Sequence, residues 1–236
     1  MLTTSYARVE ITLITVVGAA ATALGVYFFQ YWGSVPALLA LSLLAFYRHP
    51  RRRPPAGNNL ILAPADGKIV EISRGVSDPD GAGPSLRIMI FLSVLDVHVN
   101  RSPCGGRVTG VEYRPGKFLS ALKPEADKVN ESNTLTIAPA GPLPGPVRVR
   151  QIAGVLARRI VCAVQPGAVL AAGTPLGMIK LGSRTEVRLT ENPDWELCVR
   201  LGDHVRAGCS ILARLRTNVA ASAAAADDPE FGRAPD

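Results

Sequence analysis

From Ile11 to Tyr47 the chain carries no charged residue, and this run constrains the architecture more than any other feature. Its polar and helix-breaking positions cluster at Gln30, Gly33, Ser34 and Pro36, which divides it into two apolar segments. Ile11 to Trp32 is long enough to span a hydrocarbon core about 30 Å thick, whereas Pro36 to Tyr47 reaches only about 18 Å as a helix. Two arrangements stay open: a hairpin with both ends on one side, or helices that dip into one leaflet without crossing. Arg48, Arg51, Arg52 and Arg53 follow at once, and such clusters stay on the cytoplasmic side. The chain is therefore expected on the cell (inner) membrane with its remaining residues at the cytoplasmic face. A secretory signal is the competing reading, since Ala21-Thr22-Ala23 imitates a cleavage site; the second apolar stretch and the arginines oppose it.

The formal net charge of +7 suits work against anionic lipid, where each exposed Lys or Arg is worth about 1 kcal/mol. No Lys/Arg run interleaved with aromatics lies outside the anchor junction, which argues against nucleic acid as a partner. Cys104, Cys162, Cys198 and Cys209 lack metal-ligand spacing, so free thiols in a reduced compartment and no metal are expected.

The organisation reads as a membrane anchor over 1–50, a Pro/Gly/Asn-rich linker over 51–59, a domain over 60–215 and a disordered alanine-rich, then acidic tail over 216–236. Lys68 to Ile72, Leu86 to Leu92, Arg107 to Tyr113, Thr134 to Ile137, Val147 to Ile152 and Ile160 to Val164 are short, β-branched and bounded by turn residues, so they predict strands. Gly154 to Arg159 has room for one helical turn. A spacing repeat supports matched halves: Val164, Gly167, Leu170, Ala172, Gly173 and Leu176 recur as Val199, Gly202, Val205, Ala207, Gly208 and Ile211. This pattern is similar to the flattened barrels of lipoyl and biotinyl domains. The expected fold is mainly β, a flattened barrel or sandwich resembling duplicated barrels of that type, preceded by apolar membrane helices.

Gly182-Ser183 is the pair that points to chemistry. By itself Gly-Ser is a common turn dipeptide. Its context differs: Gln151-Ile152-Ala153-Gly154, Ala157-Arg158-Arg159-Ile160-Val161-Cys162, Gly177-Met178-Ile179 and Leu181-Gly182-Ser183-Arg184 follow one another. Upstream come Ala63-Pro64-Ala65-Asp66-Gly67, Phe91 through Pro103, Pro115-Gly116-Lys117-Phe118 and Asn130-Glu131. In this order the motifs resemble the short form of the phosphatidylserine decarboxylase proenzymes, over roughly Arg48 to Leu215. The resemblance implies that the Ser183 hydroxyl attacks the Gly182 carbonyl, moving the acyl group from nitrogen to oxygen. β-Elimination of the ester and loss of ammonia then leave a pyruvoyl group at position 183. The products are a β chain of residues 1–182 and an α chain of residues 183–236. The pyruvoyl group forms a Schiff base with the serine head group of phosphatidylserine, and loss of carbon dioxide gives phosphatidylethanolamine.

Ser183 needs a base, and the chain has three histidines. His49 lies at the membrane junction and His204 in a turn of the repeat, which leaves His98 as the candidate. By position alone His98 could equally be a structural histidine, and Asp66 a turn former. The resemblance makes His98 the base and a proton donor for decarboxylation, with Asp66 orienting its ring. Longer family members carry a second histidine three residues on, where this chain has Arg101, so the division of labour between cleavage and decarboxylation stays open. Arg101 could instead pair with a substrate carboxylate or phosphate. Phe118, Leu119 and Leu122 are candidates for an apolar approach for the lipid tails. Two readings from other classes stand beside this one: a biotinyl- or lipoyl-like carrier with Lys180 as attachment site, and a self-cleaving hydrolase that keeps an N-terminal serine. Acyl-chain preference and oligomeric state, a homo-oligomer included, are left open.

Overall fold

The computed structural model describes residues 3–77, 83–119, 126–154, 160–180 and 183–216. Gly182, Leu122, most of the Gly154 to Arg159 stretch and residues 217–236 lie outside them. Two apolar helices come first, α1 (Arg8–Phe29) and α2 (Ser34–Phe46), with a 3-10 turn between them at Gln30–Gly33. The strands that follow are β1 (Leu60–Leu62), β2 (Gly67–Ser77), β3 (Pro84–Leu92), β4 (Val99–Arg101), β5 (Gly106–Arg114), β6 (Ser132–Pro139), β7 (Val147–Ile152), β8 (Ile160–Cys162), β9 (Val169–Leu170), β10 (Pro175–Ile179), β11 (Ser183–Thr190), β12 (Trp195–Leu197), β13 (His204–Val205) and β14 (Ile211–Leu215). One short helix, α3 (Ala126–Val129), interrupts them.

The largest sheet has eight strands in the order β13-β2-β3-β11-β7-β6-β5-β9, and two smaller sheets have the orders β1-β14-β12 and β4-β10-β8. Five of the stretches predicted as strands lie wholly within strands, the sixth, Ile160 to Val164, is a strand only as far as Cys162, and the protein is mainly β. One face of the large sheet carries the core, with Leu86, Ile88, Ile90, Leu135, Ile137, Val149 and Val187 fully buried. Alternation along β11 sends Thr185, Val187 and Leu189 inward and Arg184, Glu186 and Arg188 to the other face.

The spacing repeat seen in the sequence is a repeat in space. Gly167 and Gly202 share a positive φ of 91° and 94°, and Gly173 and Gly208 share one of 77° and 69°, a region that favours glycine. Their backbones bond to matched partners: Gly202 N–H to Ile69 O at 2.9 Å and Gly167 N–H to Val108 O at 2.8 Å. The duplication extends to a pair of segments not read as related, Ala63-Pro64 and Ser102-Pro103. Leu62 N–H donates to Pro103 O and Arg101 N–H to Pro64 O, both at 2.8 Å, so the two halves clasp each other reciprocally.

The outward face of the sheet is ionic. Arg87 donates from Nε to Glu186 at 3.0 Å, from Nη2 to Asp127 on α3 at 2.7 Å and from Nη1 to Glu71 at 3.3 Å. Arg188 adds a second bond to Glu186, whose side chain is 1% exposed. Buried charges of this kind are tolerated only while each finds partners.

The two apolar helices fold back on each other. Gly18 faces Ala40 and Gly25 faces Gly33, so small residues let the backbones approach. Thr3 bridges to Arg48 and Thr4 N–H donates to Tyr47 O at 2.9 Å, which closes the base of the hairpin. The two ends of the hairpin therefore lie side by side. α1, with 22 residues, measures about 33 Å and α2, with 13, about 20 Å. Among the described residues one helical stretch, Ser5–Phe29, is long and apolar enough to cross a membrane. Neither α1 nor α2 buries a residue within the protein.

The ionic face generates a stability prediction. Glu186→Gln should leave Arg87 and Arg188 without their shared carboxylate and lower stability by about 3 kcal/mol. Chemical denaturation of Ser183→Ala protein in detergent, with and without the second substitution, checks this.

Candidate functional site

Strand β10 runs toward Gly182 and β11 starts at Ser183, so the bond between 182 and 183 joins two strands of different sheets. A single loop spans the gap. Ser183 pairs with Leu92, where the loop begins, and Met178 pairs with Val99, where it ends. His98 is the last residue of that loop, and its carbonyl accepts from Ile179 N–H at 3.3 Å. The register of two strand pairs thus fixes both ends of the loop that carries His98, one of them opposite Ser183.

Asp96 shapes the loop from within. Its Oδ2 accepts from Ser93 N–H at 2.8 Å and from Ser93 Oγ at 2.7 Å, an Asx-type turn. Its backbone carbonyl lies 2.9 Å from His98 Nδ1. A carbonyl oxygen only accepts, so Nδ1 carries the proton and Nε2 keeps its lone pair. His98 is fully buried, and burial pushes its pKa down to about 4, against an opposing pull from the Asp96 carbonyl and the charges of Asp96 and Asp66; Arg48 pushes in the same direction as burial. The imidazole is neutral at pH 7. His98 Nε2 and Ser183 Oγ are both buried and both lack a hydrogen-bond partner. Buried polar atoms are rarely left unpaired, so these two are candidates for groups whose bonds form during chemistry.

Motifs distant in sequence also converge. Lys117 N–H and O pair with Val129 O and Glu131 N–H, and a Cβ at Gly116 would overlap the backbone of Asn130 and Glu131. Asn130 Nδ2 donates to Leu119 O and Ala153 O, each at 2.8 Å, which ties three of the motifs together. A chain of buried amides runs behind: Asn133 to Gln151 at 3.1 Å, Gln151 to Asn100 at 2.7 Å and Asn100 to the Thr185 hydroxyl at 3.3 Å. Thr185 and Ser183 share the inward face of β11.

The remaining candidate residues are arranged differently from the sequence expectation. Asp66 does not bond to His98. Both its oxygens are taken by Arg52, at 2.5 and 2.6 Å, and Oδ1 also accepts from Ala207 N–H at 2.8 Å. The planar guanidinium matches a carboxylate in two places at once, which an imidazole N–H cannot. Nor is Asp66 simply a turn former: Gly105 occupies the matched place in the other half of the duplication, so that turn needs no carboxylate. Arg101 is buried, with Nη1 on Gly173 O at 3.0 Å and Nη2 on Pro50 O at 2.9 Å. Its fork clamps the linker, and reaching a substrate anion would mean giving up both carbonyls. Phe118 is partly exposed beside the Asn130 tie. His204 is exposed on β13, pairing with Lys68. Lys180 bonds to Glu10 of α1. Among the described residues no group of three or more His, Cys, Asp or Glu could hold a metal.

Sequence reasoning passed over Asp96, Arg52 and Phe46, whose ring centroid lies 4.2 Å from that of His98. The Ser-x-x-Asp spacing of Ser93 and Asp96 was an available turn signal. Arg52 and Phe46 gave none, because their partners are remote in sequence.

The profile of the phosphatidylserine decarboxylase family matches residues 39–213. A phosphatidylserine decarboxylase proenzyme of Rhodopirellula baltica is 42% identical over 207 residues, which cover 87% of this chain and 85% of the relative. One from Carboxydothermus hydrogenoformans is 40% identical over 212 residues, covering 88% and 92%. Another, from Solibacter usitatus, is 46% identical over 177 residues, covering 75% and 80%. With its site built from a buried serine, a neutral histidine and the motifs that gather around them, the chain belongs to the phosphatidylserine decarboxylase family.

Proposed function

We propose that this protein is a membrane-attached proenzyme that cuts itself between Gly182 and Ser183, turns Ser183 into a pyruvoyl group and decarboxylates phosphatidylserine to phosphatidylethanolamine. The observation that carries the reading is the pair of unpartnered buried atoms, Ser183 Oγ opposite the start of the 93–98 loop and His98 Nε2 at the end of that loop. In cleavage, His98 Nε2 takes the Ser183 hydroxyl proton as Oγ bonds to the Gly182 carbonyl carbon. The same proton passes to the Ser183 nitrogen as the C–N bond breaks, leaving an ester. Loss of the Ser183 α-proton then expels the Gly182 carboxylate, and water replaces the nitrogen as ammonia. The pyruvoyl group supplies an electron sink for the carbon that loses carbon dioxide. His98 Nε2 carries no proton in the resting site. It takes one from the substrate ammonium as the amine is freed to condense, and returns it to the carbon that has lost carbon dioxide. Asp66 acts on the ring through charge across space.

The fragments 1–182 and 183–236 stay together because β11 is bonded along both edges, to β3 and to β7. Lys180, 13% exposed at its side chain and paired with Glu10, lacks the free hairpin-tip lysine that a biotinyl or lipoyl carrier presents. An N-terminal-serine hydrolase would keep the α-amine that this reading removes. The arginine cluster at 48–53 and the hairpin closed at Thr3 and Arg48 support attachment from the cytoplasmic face.

Three outcomes follow. Intact mass should show a 183–236 chain that begins with pyruvoyl and lacks an α-amine, while Ser183→Ala stays a single chain; efficient cutting of that variant at Gly182 would overturn the reading. Wild-type protein should pellet with membranes and resist extraction by high salt, since burial of apolar helices is not screened as surface charge is. Release by salt alone would reject the anchor. The third outcome concerns pH. Because the folded value of His98, about 4, lies below the free value of 6.5, the base form persists throughout the neutral range. Self-cleavage should therefore be flat from neutral pH down to about pH 5 and fall as pH approaches 4. Over the same window the unfolded chain takes the proton that the fold refuses, so stability should drop by about 1.4 kcal/mol per pH unit, and His98→Gln should remove that contribution. A cleavage midpoint near 6.5 would contradict the burial argument.

A further inference from the structure

The base of the membrane hairpin touches both sides of the cleavage corner. On the α1 side, the Glu10 carboxylate accepts from Lys180 Nζ, and Lys180 is the residue that follows β10 on the way to Gly182. On the α2 side, the Phe46 ring lies on the His98 ring at a tilt of 42°. Arg48 adds bonds from Nη1 to Ala45 O at 3.0 Å and from Nη2 to Leu95 O in the histidine loop. One end of the hairpin thus holds the segment entering the scissile bond, and the other holds the base.

Anchoring alone does not require this. A carboxylate at the edge of a charge-free helix is costly near lipid unless it is paired, and here its partner belongs to the chain about to be cut. The Lys180 side chain is 13% exposed and that of Glu10 37%, so the bridge is shielded from the lysine side. Its mechanical effect follows from the reaction: a displacement of about 1 Å between nucleophile, carbonyl and base costs on the order of 100-fold in rate.

We propose that the hairpin base is part of the maturation machinery, with Glu10 a positioning residue that, through Lys180, holds the chain ahead of Gly182 against the histidine loop. Self-cleavage then waits for a folded hairpin. This rests on the reading that Ser183 cuts the chain.

The test uses full-length proenzyme synthesised in the presence of phosphatidylglycerol-containing vesicles, with appearance of the 183–236 chain followed over time. Glu10→Gln and Lys180→Gln should each slow cleavage about tenfold or more while both proteins still pellet with the vesicles. Lys180→Arg should recover most of the rate, and so should the charge swap Glu10→Lys with Lys180→Glu; neither recovery is expected if the single substitutions act by general misfolding. Wild-type rates in both Gln variants would overturn the proposal, as would a swap and an arginine variant that stay as slow as the Gln variants. Ser183→Ala in the same series separates the two claims. If it is cut, the self-cleavage reading fails; if it stays whole while Glu10→Gln cleaves normally, only the positioning role fails.

Discussion

The structure depends on one register: Ser183 opposite Leu92 and Met178 opposite Val99. These two pairings fix the ends of a loop across the junction of two sheets, so the place of His98 relative to β11 is set by backbone hydrogen bonds. A slip of one residue in β11 would turn Ser183 outward and bring Arg184 into the core. The fully buried Thr185, Val187 and Leu189 on the same face make that slip expensive. Hydrophobic burial along β11 and the position of the nucleophile are therefore one constraint.

The site departs from a serine–histidine–aspartate triad in a specific way. The ring is oriented by a neutral carbonyl, that of Asp96, and the carboxylate of Asp66 is spent on Arg52. A carbonyl fixes the tautomer but contributes little to stabilising an imidazolium, which fits a base whose protonated state is brief. Arg52 and Arg101 both tie the linker to the domain, through Asp66 and through Pro50. The linker is thereby held against the same corner as the hairpin base.

Much of this was legible beforehand, and the parts that were not share a cause. Strands β2, β3, β5, β6 and β7 announced themselves by β-branched runs between turn residues, and the spaced glycines disclosed half of the duplication. β11 did not, because Arg184, Glu186 and Arg188 make its outward face read as solvent-exposed when it is in fact sealed by Arg87 and α3. Ser183 and His98 were singled out through ordered motifs, and both carry a buried atom with no partner among the described residues. The partner assigned to His98 was misjudged, because a sequence states which residues are acidic but not which cation reaches them first. Arg52 comes from the linker, fourteen positions away from Asp66, and nothing in the spacing links the two.

The central position of β11 has a consequence for the life of the molecule. Before cleavage, unfolding and refolding are events within one chain, and loop closure keeps the strand near its neighbours. With the bond at 182–183 cut as proposed, the same strand would be held between β3 and β7 only by noncovalent contacts. Melting the sheet would then release a separate fragment, and refolding would become a second-order encounter that dilution defeats. On the proposed cleavage, maturation would leave an assembly whose durability is set by how slowly it opens rather than by how well it can fold again.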